Sequence, residues 1–128
     1  MIEIFVDGAC SGNPGPAGIG VVIKRNGDVI KEISRAIGPA TNNIAEYMAL
    51  LYALKEVLLW NTEKIQIFTD SELVYRQVIG EYKVKDEKLQ PLHAQVKRVL
   101  ENFSDINIAH VTRDKNTLAD RLATSAIV

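Results

Sequence analysis

Four acidic residues stand where chemistry tends to gather: Asp7, Glu46, Asp70 and Asp120. Asp7 closes an alternating, β-rich run, Ile2 to Val6. Glu46 falls in the first turn of a long helical pattern. Asp70 follows a second β-rich run, Lys64 to Thr69. Asp120 lies in the opening turns of the last helical pattern. Singly, each has a plain structural use: a turn at Asp7-Gly8, a capping-box partner at Glu46, an N-cap at Asp70, a solvated acid at Asp120. Together they point elsewhere. Clustered carboxylates repel unless a cation neutralises them. Hard, oxygen-seeking Mg²⁺ or Mn²⁺ suits such a cluster, and two such ions about 4 Å apart suit phosphodiester chemistry.

The acids cluster only if the elements bring them together. Ile2 to Val6, Ile19 to Ile23 and Val29 to Ile37 read as three sequential strands, the last two joined by the hairpin turn Asn26-Gly27. Ile44 to Trp60 is a helix apolar around much of its circumference, so it belongs in the core. Thr41-Asn42-Asn43 offers helix caps at its start, and Asn43 with Glu46 has capping-box spacing. Lys64 to Thr69 is a fourth strand. Asp70-Ser71 opens a helix to Ile79, and Glu87 to Phe103 is a third helix. Ile106 to Val111 is a fifth strand, and Asn116 caps a last helix to Ala126. The order βββαβααβα predicts an α/β fold, a five-stranded mixed sheet with helices on both faces, in one domain spanning residues 1–128. Right-handed crossovers make strands one, four and five parallel, which puts all four acids on one sheet edge.

Composition narrows the classes. The chain has 128 residues and a formal net charge of −1, from 15 bases and 16 acids. That charge argues against a generic basic nucleic-acid binder. Setting aside the four junction acids leaves twelve acids against fifteen bases, and Arg76 to Arg98 holds six bases against three acids. The charge is thus consistent with a metal-hungry cluster beside a modestly basic surface. No apolar run reaches the roughly 20 residues of a spanning helix, so no membrane association is expected. A single cysteine, Cys10, forms no intrachain disulfide, and a reducing cytoplasm is the expected compartment. The run Gly12-Asn13-Pro14-Gly15-Pro16-Ala17-Gly18 lacks the Gly-Lys-Ser/Thr ending of a Walker loop. It also precedes a strand, whereas a dinucleotide fingerprint opens a helix.

Four segments carry a resemblance. They are Phe5 to Gly18, Thr41-Asn42-Asn43-Ile44-Ala45-Glu46, Thr69-Asp70-Ser71, and Asn116-Thr117-Leu118-Ala119-Asp120-Arg121-Leu122-Ala123. In this order, each with its acid, they resemble type 1 ribonuclease H along essentially the whole chain. The resemblance implies a ribonuclease H-like fold and an endonuclease for the RNA strand of RNA–DNA hybrids. It implies two Mg²⁺ or Mn²⁺ ions, and 5′-phosphate and 3′-hydroxyl products. Asp7 would then bridge both ions, and Glu46 would bind one near the RNA 2′-hydroxyl. Asp70 would help position the attacking water, and Asp120 would complete the second site. Cys10, Ser11, Gly12, Asn13 and Asn43 match positions that read the hybrid's minor groove. Thr41 and Asn42 match a region contacting the DNA phosphate. A monomer is expected. The alternative is a catalytically weak nucleic-acid-binding module on the same fold.

Two departures stand out. Many family members carry a histidine in a flexible loop before the last helix. Here that loop is only Thr112-Arg113-Asp114-Lys115. His110 falls in the fifth strand and is expected to be structural; His93, mid-helix, belongs to surface or packing. Arg113 is the candidate partial substitute, although a permanent cation cannot shuttle protons. The long basic handle of some relatives is also absent. Only Gly80 to Asp86 joins the two middle helices, and Tyr82, Lys83 and Lys85, with Lys88, are candidates for a reduced phosphate grip.

Overall fold

A computed structural model describes residues 1–127. Five strands form one sheet in the order β3-β2-β1-β4-β5. They are β1 Ile2–Cys10, β2 Gly15–Arg25, β3 Asp28–Ala40, β4 Lys64–Thr69 and β5 Asp105–His110. The first three run as an antiparallel meander, while β1, β4 and β5 are parallel neighbours. Four helices follow the expected order: α1 Asn42–Glu56, α2 Glu72–Val78, α3 Gln90–Leu100 and α4 Thr117–Ser125. No helix among the described residues is long and apolar enough to cross a membrane.

Burial shows why this sequence settles here. Ile2, Ile4 and Val6 alternate onto one face of β1 and join Ile19, Val21, Ile23, Ile65 and Ile67 in a single core. Helix α1 covers that face and buries Tyr47, Leu50 and Leu54, with Ala45, Ala49 and Ala53 allowing close approach. Helices α2 and α3 complete this layer through Val74, Val78 and Val96. Buried Tyr47 donates its hydroxyl to Gln77 Oε1 at 2.6 Å, and His93 Nε2 sits 3.1 Å from the Gln77 carbonyl. His93 is therefore a packing residue, as its position suggested.

Helix α4 lies on the other face, and two glycines admit it. A Cβ on Gly20 would overlap the Ala119 carbonyl and come within 2.7 Å of Ala123 N. A Cβ on Gly18 would meet Ala126 at 2.8 Å. Across the sheet, a Cβ on Gly8 would overlap the backbone of Ala45 in α1. The paired backbones of β1 and β2 are thus pressed from opposite faces where Asp7 pairs with Gly20.

Several boundaries differ from the sequence pattern. Strand β1 does not stop at Asp7-Gly8 but continues to Cys10, paired residue by residue with β2 as far as Ala17. The tight turn is displaced to Ser11–Pro14 because Gly8 and Ala9 pack as strand residues. Helix α1 ends at Glu56, and Leu58–Trp60 is a separate 3₁₀ turn. Helix α3 starts only at Gln90, since the Asp86 side chain takes the Lys88 amide and holds a turn there.

The Gly20→Ala variant should lose about 2–3 kcal/mol, because the new methyl meets rigid backbone rather than a movable side chain. Thermal unfolding should show a drop in Tm of several degrees; an unchanged Tm would mean that α4 does not dock as described.

Candidate active site

The sheet register places the acids. Val6 of β1 is paired with Thr69 of β4, so the next residues along, Asp7 and Asp70, emerge side by side just past the last pair of two adjacent parallel strands. Strands in this relation are about 4.8 Å apart. Glu46 arrives from beneath, on the first turns of α1. Asp120 arrives from the opposite face, on the first turns of α4. Asp7, Glu46 and Asp70 each offer a carboxylate oxygen within 4.8 Å of the others. Asp120 approaches Asp7 closely enough to favour its protonated form, and it shares a cleft with Asp7 and Glu46.

Local hydrogen bonds free these side chains from capping. Thr41, not Asn43, caps α1, its Oγ1 accepting from Ile44 N at 3.2 Å. Glu46 is therefore not a capping-box partner. Its Oε1 accepts the Gly8 amide, a β1 donor lying beyond the end of the β4 pairing. Ser71, not Asp70, caps α2, accepting from Val74 N at 3.2 Å. Asp70 is left facing the other acids, with its Oδ2 buried and without a partner. Asn116 stands at the start of α4 but does not cap it by side chain. It instead donates to the Val6 carbonyl at 2.8 Å, tying the helix that carries Asp120 to the strand that carries Asp7.

The electrostatic consequence is strong. Burial, then the neighbouring Glu46, push the Asp7 carboxyl far above the usual carboxylate range. Burial also raises Glu46, offset in part by hydrogen bonds with Asp7 and Gly8 and by the Arg113 charge. The cluster holds a proton, or it holds a cation. A donor set of converging carboxylates, one with an orphaned buried oxygen, fits a hard divalent ion.

The other predicted residues divide into two groups. Arg113 is exposed in a short 3₁₀ turn after β5 and lines the same cleft as Asp7, Glu46 and Asp120. Cys10, Asn42 and Asn43 line it too. The Cys10 thiol donates to Asn42 Oδ1 at 2.9 Å, and Asn42 N donates to Asn13 Oδ1 at 3.0 Å. The β1–β2 turn, with Ser11 and Gly12 exposed, is thus fastened to the start of α1. Tyr82, Lys83 and Lys85 are not brought to the cluster. They follow the far end of α2, a helix about 10 Å long. There Tyr82 lies under the Arg76 guanidinium at 5.6 Å, and the Lys83 carbonyl lies 3.5 Å from Gln77 Nε2. His110 is not packed inside. It ends the edge strand β5, exposed, with Nε2 3.3 Å from the Asp70 carbonyl. Gly8 is the site residue that sequence reasoning missed; its glycine inside a strand, directly after an acid, was the available signal.

Comparison with known proteins agrees with this geometry. A family model described as reverse transcriptase-like matches residues 5–126. The bifunctional protein Rv2228c of Mycobacterium tuberculosis is 40% identical over 98% of this chain and 35% of its own length. Ribonuclease HI of Halobacterium salinarum is 38% identical over 98% of this chain and 64% of its own length. The crystal structure of LC11-RNase H1 in complex with RNA/DNA hybrid superposes with a TM-score of 0.93, at 40% identity, covering 99% of this chain and 96% of that one. The chain belongs to the ribonuclease H family, in its type 1 branch. It spans about a third of the length of the mycobacterial relative and about two-thirds of the halobacterial one.

The raised carboxyls make a pH prediction for the metal-free protein. In the fold they keep protons that the unfolded chain releases above about pH 4. Stability from this source is present at low pH and is lost as pH rises through the folded values. In EDTA, Tm should fall between pH 5 and pH 8. Asp7→Asn should flatten that slope and raise Tm at pH 8; parallel slopes for variant and wild type would refute the coupling.

Proposed function

We propose that the chain hydrolyses the RNA strand of RNA–DNA hybrids, leaving 5′-phosphate and 3′-hydroxyl ends. The observation that carries this reading is the convergence of Asp7, Glu46 and Asp70 within 4.8 Å, with Asp120 beside Asp7. A module built only to bind a polyanion gains nothing from such a cluster, which repels phosphate. In this reading the four acids hold two Mg²⁺ or Mn²⁺ ions. Bound there, the ions would activate water and offset charge on the attacking and leaving oxygens.

The chain's own groups have separable tasks. Asp7, anchored on a strand held from both faces, is the fixed point of the cluster and would touch both ions. Glu46 is held by the Gly8 amide and, in this reading, would bind one ion near the RNA 2′-hydroxyl. Asp70, with a free Oδ2, would orient the attacking water. Asp120 closes the cluster from α4. Arg113 brings a permanent positive charge to the cleft, suited to orienting the scissile phosphate and stabilising the leaving oxygen. The fastened turn Cys10–Asn13 and the α1 start Thr41–Asn43 form a rigid polar rim. That rim supports recognition of a minor groove displaying 2′-hydroxyls, the feature that separates RNA from DNA. The Tyr82, Lys83 and Lys85 segment would meet a duplex only some distance from the scissile bond, as a modest phosphate contact.

Labelled RNA–DNA hybrid, incubated with Mg²⁺ or Mn²⁺, should be cut in the RNA strand. Asp70→Asn should lower cutting by about 100-fold or more. Absence of metal-dependent cutting by the wild type would sink the hydrolytic reading, and equal cutting of DNA duplex or free RNA would sink the substrate assignment. Arg113→Ala should reduce the rate at saturating metal by roughly tenfold or more. Single-turnover measurements showing an unchanged rate would remove Arg113 from the mechanism.

A further inference from the structure

The acids of the cluster stand on backbone of unequal support. Asp7 lies within a paired strand, and the Val6 carbonyl before it is held by Asn116 Nδ2 at 2.8 Å. Glu46 lies within α1, and its carboxylate takes the Gly8 amide. Asp70 lies in neither kind of element. Strand β4 ends at Thr69, where the last pairs join it to Val6 and His110, and α2 begins only at Glu72. The Asp70 carboxylate nevertheless faces those of Asp7 and Glu46 within 4.8 Å. Like charges at that range repel, and its Oδ2 has no partner to hold it.

One side chain reaches this junction residue. His110 ends β5, opposite Thr69 in the parallel register. Its Nε2 lies 3.3 Å from the Asp70 carbonyl, which has no other hydrogen-bond partner among the described residues. A carbonyl only accepts, so Nε2 carries a proton and donates. Next to it, the Val111 amide donates to the Thr69 carbonyl at 2.9 Å. Two consecutive residues at the end of β5 thus tie two consecutive carbonyls at the end of β4. The imidazole extends the ladder one residue past the point where main-chain pairing stops.

The ring itself is held in place. Tyr75, on the first turns of α2, packs beside it with ring centroids 6.0 Å apart and planes inclined by 31°. Ser71, the residue after Asp70, caps the same helix, and the Tyr75 amide donates to the Ser71 carbonyl at 3.1 Å. His110 is therefore joined to Asp70 and also to the helix that Asp70 precedes. A histidine that only filled space would sit inside. This one is exposed and directs its Nε2–H at the backbone of a cluster acid.

We propose that His110 is a positioning residue: its Nε2–H holds the Asp70 carbonyl and so keeps the Asp70 carboxylate turned into the cluster against the repulsion of Asp7 and Glu46. The role requires no proton transfer by the ring. Its effect on rate rests on the hydrolytic reading, whereas the fixing of Asp70 belongs to the metal-free chain.

The test compares wild type, His110→Ala and His110→Gln, the last of which offers an Nε2–H donor at similar reach. The first measurement is backbone ¹⁵N relaxation in EDTA. The order parameter of the Asp70 amide should fall from about 0.85 in the wild type to below about 0.6 in His110→Ala, and return in His110→Gln. Amide shifts distant from Asp70, α2 and the end of β5 should match the wild type, which separates loss of this bond from loss of fold. A Mg²⁺ titration followed at Asp7 and Asp70 should give an affinity about fivefold weaker in His110→Ala, the ratio that one hydrogen bond is worth. On labelled RNA–DNA hybrid at saturating Mg²⁺, kcat should fall about tenfold with KM unchanged. The glutamine variant should restore both. An unchanged Asp70 order parameter in His110→Ala, an undiminished Mg²⁺ affinity, or a glutamine variant that behaves like the alanine one would overturn the proposal. A wild type that cuts no hybrid would sink the hydrolytic reading alone, and the relaxation data would still decide the role of His110.

Discussion

Like charges held together out of water are the constraint around which this chain is built. The pairing of Val6 with Thr69 forces Asp7 and Asp70 to emerge side by side, and two helices deliver further acids from opposite faces. Repulsion and desolvation both oppose this arrangement. It persists because the backbone is over-determined there. Gly8 is pressed against α1, Gly20 against α4, and Asn116 binds the Val6 carbonyl. The fold thereby fixes carboxylates that would separate if each could move alone. The unfavourable charge is left for a proton or a divalent cation to relieve.

Much of this was legible in the sequence because it rests on periodicity. Alternation in β1, the turn at Asn26-Gly27, and an all-round apolar α1 follow from local rules. The parallel run of β1, β4 and β5 and the shared edge of the four acids then follow from the handedness of crossovers. The features that spacing leaves open concern competition for hydrogen bonds. Asn43 with Glu46 and Asp70 before α2 both have capping spacing. Thr41 and Ser71, one or two residues away, do the capping instead. Spacing alone cannot show which of two nearby acceptors wins, because the answer lies in where the other side chain is needed. Glu46 is drawn to an amide 38 residues away. The same holds for His110, whose residue pattern says strand while its exposure reflects the edge position of β5.

Charge shows the same gap between composition and arrangement. A net value of −1 describes neither end of the molecule. Asp7, Glu46 and Asp70 gather negative charge where the β1–β4 pairing ends. Positive charge is spread over Arg113 in the cleft, Lys24 and Lys115 beside α4, and the lysines after α2. Coulombic interaction between exposed groups fades over about 8 Å at physiological salt. An extended charged partner would therefore meet these patches one at a time rather than as an average.

That separation bears on how a compact member of this family can work without a basic handle. An extended cationic arm adds affinity through phosphate contacts, which salt weakens. Preorganisation is less sensitive to salt, since it lowers the ordering cost rather than adding attraction. The chain invests in it at the rim of its cleft. The Cys10 thiol and the Asn13 side chain both hold Asn42, so two segments 29 residues apart in sequence present one rigid polar surface. On the proposed reading, selectivity for the RNA-containing strand resides in that surface and the cutting power in the acids behind it. The scattered lysines only bring the duplex near.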